Sequence, residues 1–144
     1  PYITERWLGG TLTNFEQVQR SIRKMSETKE KRAAGEYKDY TKKERLMIER
    51  DIERIERFLG GISGLTKTQD ILFIVDTHKE IGAVKEANKL KVPVVSIVDT
   101  NANPDLVDYP IPMNDDASKA TDYVLELVKE AILEGKKPAK KAAK

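Results

Sequence analysis

Two stretches near the start of the chain repeat their apolar residues with the spacing of one helix face. In the first these are Phe15, Val18, Ile22 and Met25, and in the second they are Ile48, Ile52, Ile55 and Leu59. Spacings of three and four residues predict α-helices over 14–35 and 41–58. One antiparallel register pairs Phe15 with Leu59 and keeps the later residues in step. The chain is therefore predicted to contain an antiparallel coiled-coil helical hairpin.

Helix starts are indicated by three Thr-x-x-Glu sequences, in which a hydroxyl and a carboxylate bond the free N–H groups of a first turn. They are Thr13 with Glu16, Thr41 with Glu44, and Thr77 with Glu80. Glycine pairs bracket the hairpin at residues 9–10 and 60–61. The first pair lacks the spacing of a nucleotide-binding loop and predicts a tight turn. The second pair predicts the end of a helix, with close backbone approach as the reason for glycine.

The second half of the chain changes to the pattern of buried strands. The runs Asp70–Asp76 and Val92–Asp99 are continuous and rich in β-branched residues, as in strands covered on both faces. Residues 78–90 between them have helical spacing, so the three segments predict a βαβ unit. A short strand around Tyr109 and a helix over 116–133 are predicted next, with Gly135 just past the helix end. Three strands are few for a parallel sheet, so further strands are expected from a missing part of a longer protein.

Composition removes several classes of function. The 144 residues include no Cys and one His. These counts exclude a disulfide framework, a Cys-based metal site, a cysteine nucleophile and a multi-His metal site within one chain. No apolar run reaches the length of a membrane span and no leader opens the sequence, so neither a membrane segment nor a signal peptide is expected.

The net charge of +2 is unevenly distributed along the chain. Residues 14–58 carry 13 Lys and Arg against 10 Asp and Glu, whereas residues 59–134 carry 7 against 13. Residues 135–144 carry 5 Lys and no acid, and are expected to be a disordered tail. The hairpin and the tail are therefore the basic parts, which favours local contacts with phosphates.

Several features admit both a functional and a structural interpretation. Asp76 and Asp99 end the two strong strand patterns, where α/β folds bind ligands, so a Mg²⁺-dependent enzyme is one hypothesis and turn or helix capping is the other. His78 is expected at the surface or as a cap. Trp7 is expected as an apolar anchor at the base of the hairpin, with stacking on a nucleobase as the alternative. The basic hairpin is consistent with nucleic-acid binding and also with a protein-interaction module that binds a partner helix.

Four stretches then carry a closer resemblance. They are Arg6-Trp-Leu-Gly-Gly-Thr-Leu-Thr-Asn-Phe15, Leu59-Gly-Gly-Ile62, Asp70-Ile-Leu-Phe-Ile-Val-Asp76 with the helix after it, and the run from Ile97-Val-Asp-Thr-Asn101 to Asn114-Asp-Asp-Ala117. In this order they resemble the bacterial ribosomal protein S-two family of the small ribosomal subunit, over 2–133. Gln69 and Met113 depart from the family's pattern and alter loops alone. Family members carry an additional N-terminal segment, which accounts for the low strand count.

The resemblance implies a non-enzyme with an α/β fold: a Rossmann-like, flavodoxin-like parallel-sheet domain, incomplete here, with a protruding antiparallel coiled-coil hairpin. Residues 1–13 and 59–134 would form the α/β domain, 14–58 the inserted hairpin and 135–144 the basic tail. The implied function is structural. The protein would bind small-subunit ribosomal RNA and neighbouring ribosomal proteins, help to dock ribosomal protein S-one and support translation on cytoplasmic ribosomes.

No cofactor and no membrane contact are implied, and a loosely held Mg²⁺ is left open. The candidate ribosomal RNA contacts are Arg6, Trp7, Thr11, Asn14, Arg20, Arg23, Lys24, Arg32, Lys42 and Lys43.

Overall fold

A computed structural model of the chain describes residues 1–136. Within that range it contains four α-helices and three strands. Their bounds are α1 (Phe15–Ala34), α2 (Lys42–Leu59), β1 (Leu72–Ile74), α3 (Ile81–Leu90), β2 (Val94–Val98), β3 (Tyr109–Pro112) and α4 (Ser118–Gly135). Short 3₁₀ turns span Gly60–Ile62 and Pro104–Leu106. The predicted α/β class is confirmed, and each predicted helix and strand is present within a few residues.

The sheet is parallel and has the strand order β1-β2-β3. Leu72 of β1 lies opposite Val94 of β2, and α3 connects these two strands as the predicted βαβ unit. β2 is the central strand, and its Val94 and Ile97 are fully buried, as is Val84 of α3. A strand that is covered on both faces has no polar side to alternate with, which explains the continuous apolar run in the sequence.

Two buried hydroxyls lie where β1 ends and β2 runs past it. The Thr77 Oγ1 is 2.7 Å from the Ser96 Oγ and donates to the carbonyl of Ile97 at 2.7 Å. Because these partners come from the neighbouring strand, Thr77 caps no helix, and α3 begins later, at Ile81. The predicted capping box from Thr77 to Glu80 is therefore wrong.

The first predicted capping box is also wrong, whereas the second is confirmed. α1 follows Asn14, whose side chain forms no cap bond among residues 1–136, and the Thr13 hydroxyl bonds a residue of α3 instead. At α2 the box is complete. The Glu44 N–H donates to the Thr41 hydroxyl at 3.3 Å, and the Glu44 carboxylate accepts the Thr41 N–H at 2.9 Å.

α1 and α2 form an antiparallel pair, which we call the helical pair together with the turn that joins them. Its register differs from the predicted one. Lys29 bonds Glu56 at 2.5 Å, although the predicted register places Lys29 opposite residues 44–45. Ile22 packs with Leu59 and Ile62. The buried seam thus continues past the end of α2 into the 3₁₀ turn, and this extension, invisible to the spacing within the helices, shifts one helix along the other.

Two glycines have the backbone reasons that the sequence indicated. Gly10 has a φ of +91°, in a turn closed by the bond from the Thr11 N–H to the Leu8 carbonyl. A Cβ at Gly61 would overlap the carbonyl oxygen of Tyr2 and lie 2.9 Å from its ring. The first residues of the chain can therefore lie against the end of α2 only because Gly61 has no side chain.

α4 carries no buried residue between 118 and 135. Its apolar side chains include Tyr123, 66% exposed, and Leu133, 54% exposed. The sequence predicted that Gly135 lies just past the end of this helix. In the structure Gly135 is the last residue of α4, and Lys136 takes the capping position. None of the helices within residues 1–136 is both long and apolar enough to cross a membrane. Most of the predicted tail, 137–144, lies outside the described residues.

Candidate nucleic-acid interface

The residues just before α1 fold around one carboxylate, that of Glu86 on α3. One oxygen accepts the Gly10 N–H at 2.6 Å and the Trp7 indole N–H at 3.3 Å. The other accepts the N–H groups of Leu12 and Thr13, each at 3.0 Å, and the Thr13 hydroxyl at 3.2 Å. Five donors from one loop therefore converge on a single side chain.

These bonds set the charge state of Glu86. Burial acts to raise the pKa of the carboxyl group, but the N–H bonds from Thr13, Gly10 and Leu12 and the indole of Trp7 outweigh it. The pKa is therefore held below its ordinary value of 4.5, since bonds to the charged form favour ionisation. Glu86 is an anion at neutral pH.

The candidate RNA contacts in this loop fall into two groups. Arg6 and Asn14 are exposed. Thr11 is only 4% exposed and its hydroxyl donates to the Leu8 carbonyl at 2.6 Å. Trp7 is half-buried and packs against the core of the sheet, so it is an apolar anchor, but on α3 and the sheet and not on the helical pair. Thr11 and Trp7 thus shape the loop, and Arg6 and Asn14 are the members at its surface.

The outward face of α2 is the most strongly basic surface of the helical pair. With 3.6 residues per turn, four side chains lie within about 60° of one another, opposite the buried Ile52 and Leu59. We call them the basic strip: Lys43, Arg50, Arg54 and Arg57. Within α2, all of which the structure describes, no Asp or Glu lies between them on this face. The strip is about 21 Å long.

The acids of α2 lie at the flanks of the strip, and two of them face α1. Glu56 bonds Lys29 and Glu49 bonds Arg32, both at 2.5 Å. These two acids are therefore directed toward α1 and not toward the outer face of α2. The second ion pair also occupies Arg32, one of the candidate RNA contacts.

The outward face of α1 is mixed by comparison. Arg20 and Lys24 lie opposite the buried Ile22, but Glu16 and Glu27 share that side of the helix. Arg20 approaches Glu16 at 3.9 Å. Arg23 lies to one side of this face, on the same side as Glu16 and Glu27. α1 thus has acids on the same side of the helix as its candidate cations, whereas the acids of α2 lie at the flanks of the basic strip.

Sequence reasoning named Lys42 and Lys43 on α2 but missed the three arginines further along the helix. Their positions, 50, 54 and 57, repeat at helical spacing and could have been found by placing charged residues, and not only apolar ones, on the helix faces. Two of them have acidic neighbours, since Arg54 is 3.1 Å from Asp51 and Arg57 is 2.8 Å from Glu5. These guanidinium groups stay largely exposed.

The carboxylates at the strand ends act in the turns that follow the strands. Asp76 accepts the Lys79 N–H at 2.8 Å and pairs with its ammonium at 3.1 Å, and Asp99 accepts the Thr100 N–H at 2.6 Å. Burial, together with Asp76 and Asp99, raises the pKa of the Asp115 carboxyl. Over residues 1–136, no group of three or more His, Cys, Asp or Glu is arranged to hold a metal ion.

Comparison with known proteins places the chain in one protein family. The family model described as Ribosomal protein S2 matches residues 1–135. The chain belongs to the ribosomal protein S2 family. It is 51% identical over 135 residues to the small ribosomal subunit protein uS2 of Amoebophilus asiaticus, an alignment that covers 94% of this chain and 43% of that protein.

Two further relatives bear the same name. The uS2 protein of Nitratiruptor sp. is 50% identical, with 94% of this chain and 51% of that protein covered. The uS2 protein of Corynebacterium diphtheriae is 46% identical, with 99% and 54% covered. The chain thus spans about half the length of the curated relatives it matches. The name of the family describes a component of the small ribosomal subunit and not an enzyme.

Proposed function

We propose that this chain is a structural constituent of the small ribosomal subunit, and that its helical pair binds small-subunit ribosomal RNA. Family membership supports the ribosomal role. The sorting of charge on α2 supports the RNA contact, and it is the observation on which the proposal rests.

The basic strip has the properties of a surface for a phosphate backbone. Four cations follow one helix face over about 21 Å without an acid between them. Arginine suits this task because its planar fork of N–H donors matches phosphate oxygens. Contacts of this kind fix the position of a protein on folded RNA and do not read its sequence.

The existing ion pairs of the strip do not oppose this role. Arg54 and Arg57 pair with acids at the surface, where their side chains are 69% and 64% exposed. Exposed pairs contribute little stability, so exchanging a carboxylate for a phosphate costs little. The sheet half of the chain carries the excess of acids and is expected to stay clear of RNA, against a basic protein neighbour.

The proposal is tested by removing two charges at a time and measuring affinity for small-subunit ribosomal RNA over a range of salt concentrations. Arg50→Gln with Arg54→Gln is expected to weaken binding. It should also lower the slope of log K against log salt by about one for each phosphate that the variant no longer neutralises. Arg20→Gln with Lys24→Gln is expected to have a smaller effect, because Glu16 and Glu27 lie on the same side of α1 as those cations, whereas no acid of α2 lies between the cations of the basic strip.

The matched control is Lys85→Gln with Lys89→Gln, which removes the same charge from exposed positions on α3. It should leave the salt slope unchanged. If both helical-pair variants behave like this control, the helical pair does not bind phosphate. If the chain instead binds a partner protein, and that binding survives ribonuclease and depends only weakly on salt, the helical pair is a protein-interaction module.

The finer features rest on the family resemblance. We propose that the helical pair, residues 14–58, is a coiled-coil arm that protrudes from a Rossmann-like, flavodoxin-like domain formed by 1–13 and 59–134 with the basic tail after it. We propose too that the ribosome-bound protein helps to dock ribosomal protein S-one and needs no cofactor, with any Mg²⁺ loosely held. Co-sedimentation of ribosomal protein S-one with subunits that carry or lack this chain tests the docking.

A further inference from the structure

The beginning of α1 is attached to α3 through polar contacts with one residue. Gly10, Leu12 and Thr13 immediately precede the helix, and their N–H groups all donate to Glu86. Asn14 contributes no side-chain cap within residues 1–136. The direction in which α1 leaves the sheet is therefore set where Glu86 holds this turn.

The other attachments of the first residues lead to the helical pair and not to α3. The Tyr2 N–H donates to the Gly61 carbonyl at 3.1 Å, Glu5 pairs with Arg57, and Ile3 packs in the apolar cluster of the pair. Leu12 and Trp7 pack against the core of the sheet, but apolar contacts are not directional. The Gln19 side chain of α1 donates to the carbonyls of Leu65 and Thr66 at 3.4 and 3.0 Å, but these residues lie in the loop before β1 and not in α3. Glu86 supplies the directional contacts between the start of α1 and α3.

The arrangement needs a charged carboxylate in particular. A carboxylate offers about four acceptor sites and no donor, and here it meets five donors. A glutamine would retain one acceptor oxygen and would turn an NH₂ group toward N–H groups of the loop. The neutral variant thus loses bonds and gains repulsion at almost unchanged size.

We propose that Glu86 is a positioning residue for the RNA-binding surface: it holds the loop with Arg6 and Asn14 and fixes the angle at which the helical pair leaves the sheet. The expected effect on RNA binding rests on the proposed function, whereas the role of Glu86 in setting the angle rests on geometry alone. Glu86 itself touches no RNA in this proposal.

The test measures the angle without RNA. The chain has no cysteine, so Asp39→Cys in the turn of the helical pair and Lys89→Cys on α3 can carry spin labels without background. Distances between the labels are measured by pulsed electron paramagnetic resonance in the full chain. Glu86→Gln is expected to widen the distance distribution at least twofold, whereas Glu130→Gln, an exposed acid on α4, should leave it unchanged.

Binding to small-subunit ribosomal RNA gives the second readout. Glu86→Gln is expected to lower affinity about tenfold with the salt slope unchanged, because every cation that faces phosphate is still present. A residue that only adds global stability would lower the melting temperature and leave the distance distribution narrow. If Glu86→Gln fails to fold, Glu86→Asp retains the charge but withdraws the oxygens by one bond, and it should widen the distribution as well.

The outcomes separate the two proposals. A narrow distribution in folded Glu86→Gln or Glu86→Asp overturns the positioning role, whatever the RNA affinity. A wide distribution with unchanged affinity also overturns it, provided that Arg50→Gln with Arg54→Gln still weakens binding. If neither Glu86→Gln nor the double arginine variant changes affinity, the RNA function fails, while the widened distribution still supports Glu86 as the residue that sets the angle.

Discussion

Substitution of Gly61 by alanine should detach the first residues of the chain from the helical pair. A Cβ at this position would overlap the carbonyl oxygen of Tyr2 and lie 2.9 Å from two carbons of its ring. Real Cβ atoms essentially never approach other heavy atoms within 3.0 Å, so one backbone must move. The segment before Arg6 is the part free to move, since Pro1, Tyr2 and Thr4 are exposed.

The size of the effect follows from what that movement breaks. The bond from the Tyr2 N–H to the Gly61 carbonyl contributes about 1 kcal/mol. Partial loss of the burial of Ile3 adds up to about 1.5 kcal/mol. If the segment before Arg6 instead stayed in place, the overpacking would cost about 1–3 kcal/mol. The free energy of unfolding should therefore fall by about 1–3 kcal/mol, or about 4 °C in melting temperature for each kcal/mol.

The measurement is urea denaturation of the Gly61→Ala chain against Gly64→Ala. A Cβ at Gly64 meets no heavy atom within 4 Å, so this control carries the same change in the unfolded chain without the clash. Hydrogen exchange at Tyr2 should accelerate in Gly61→Ala alone. If the two variants agree within about 0.5 kcal/mol and Tyr2 stays protected, the close approach of the two backbones is not a feature of the folded protein.

Three further outcomes are expected. Thr41→Ala should lower the free energy of unfolding by about 1 kcal/mol by removing the cap of α2; a change below about 0.3 kcal/mol in urea denaturation would contradict that. Ile97→Ala should cost about 2–5 kcal/mol in the same assay because Ile97 is fully buried, whereas Ile132→Ala, 54% exposed, should stay near neutral, and equal losses would refute the burial assignment. The pKa of Glu86 is lower in the folded chain than the ordinary 4.5, so its stabilisation is complete above that pH and declines as pH falls below it. Stability at pH 3.5 relative to pH 6 should therefore fall less in Glu86→Gln than in Glu130→Gln, and equal falls would exclude the linkage.

The sequence by itself determined the elements of this protein. Helices over 14–35 and 41–58 were predictable because one buried face imposes a period of 3.6, and the βαβ unit because the central strand of the sheet, β2, is covered on both faces and has no exposed polar side. The Thr41 cap formed as predicted, since all its partners lie within one turn of the chain. The family resemblance was likewise present in local order along the chain, and the family match over residues 1–135 bears it out.

The tertiary structure decided which of several local options each polar group takes. Thr13 and Thr77 are in capping sequences, yet a carboxylate on α3 and a hydroxyl on β2 take their hydroxyls. Partners more than 18 positions away leave no periodic trace in a sequence. The register of the helical pair was decided in the same way, by Ile62 beyond α2.

The candidate interface, too, could be predicted from the sequence only in part. Basic residues on the helices were visible in the sequence, but the faces they occupy required the observed packing of α1 on α2. Glu86 is one of 24 acidic residues, and only folding brings five donors of a loop more than 70 positions away onto its two oxygens. Short-range spacing encodes the elements, whereas the contacts that orient them depend on which distant groups the fold brings within hydrogen-bond reach.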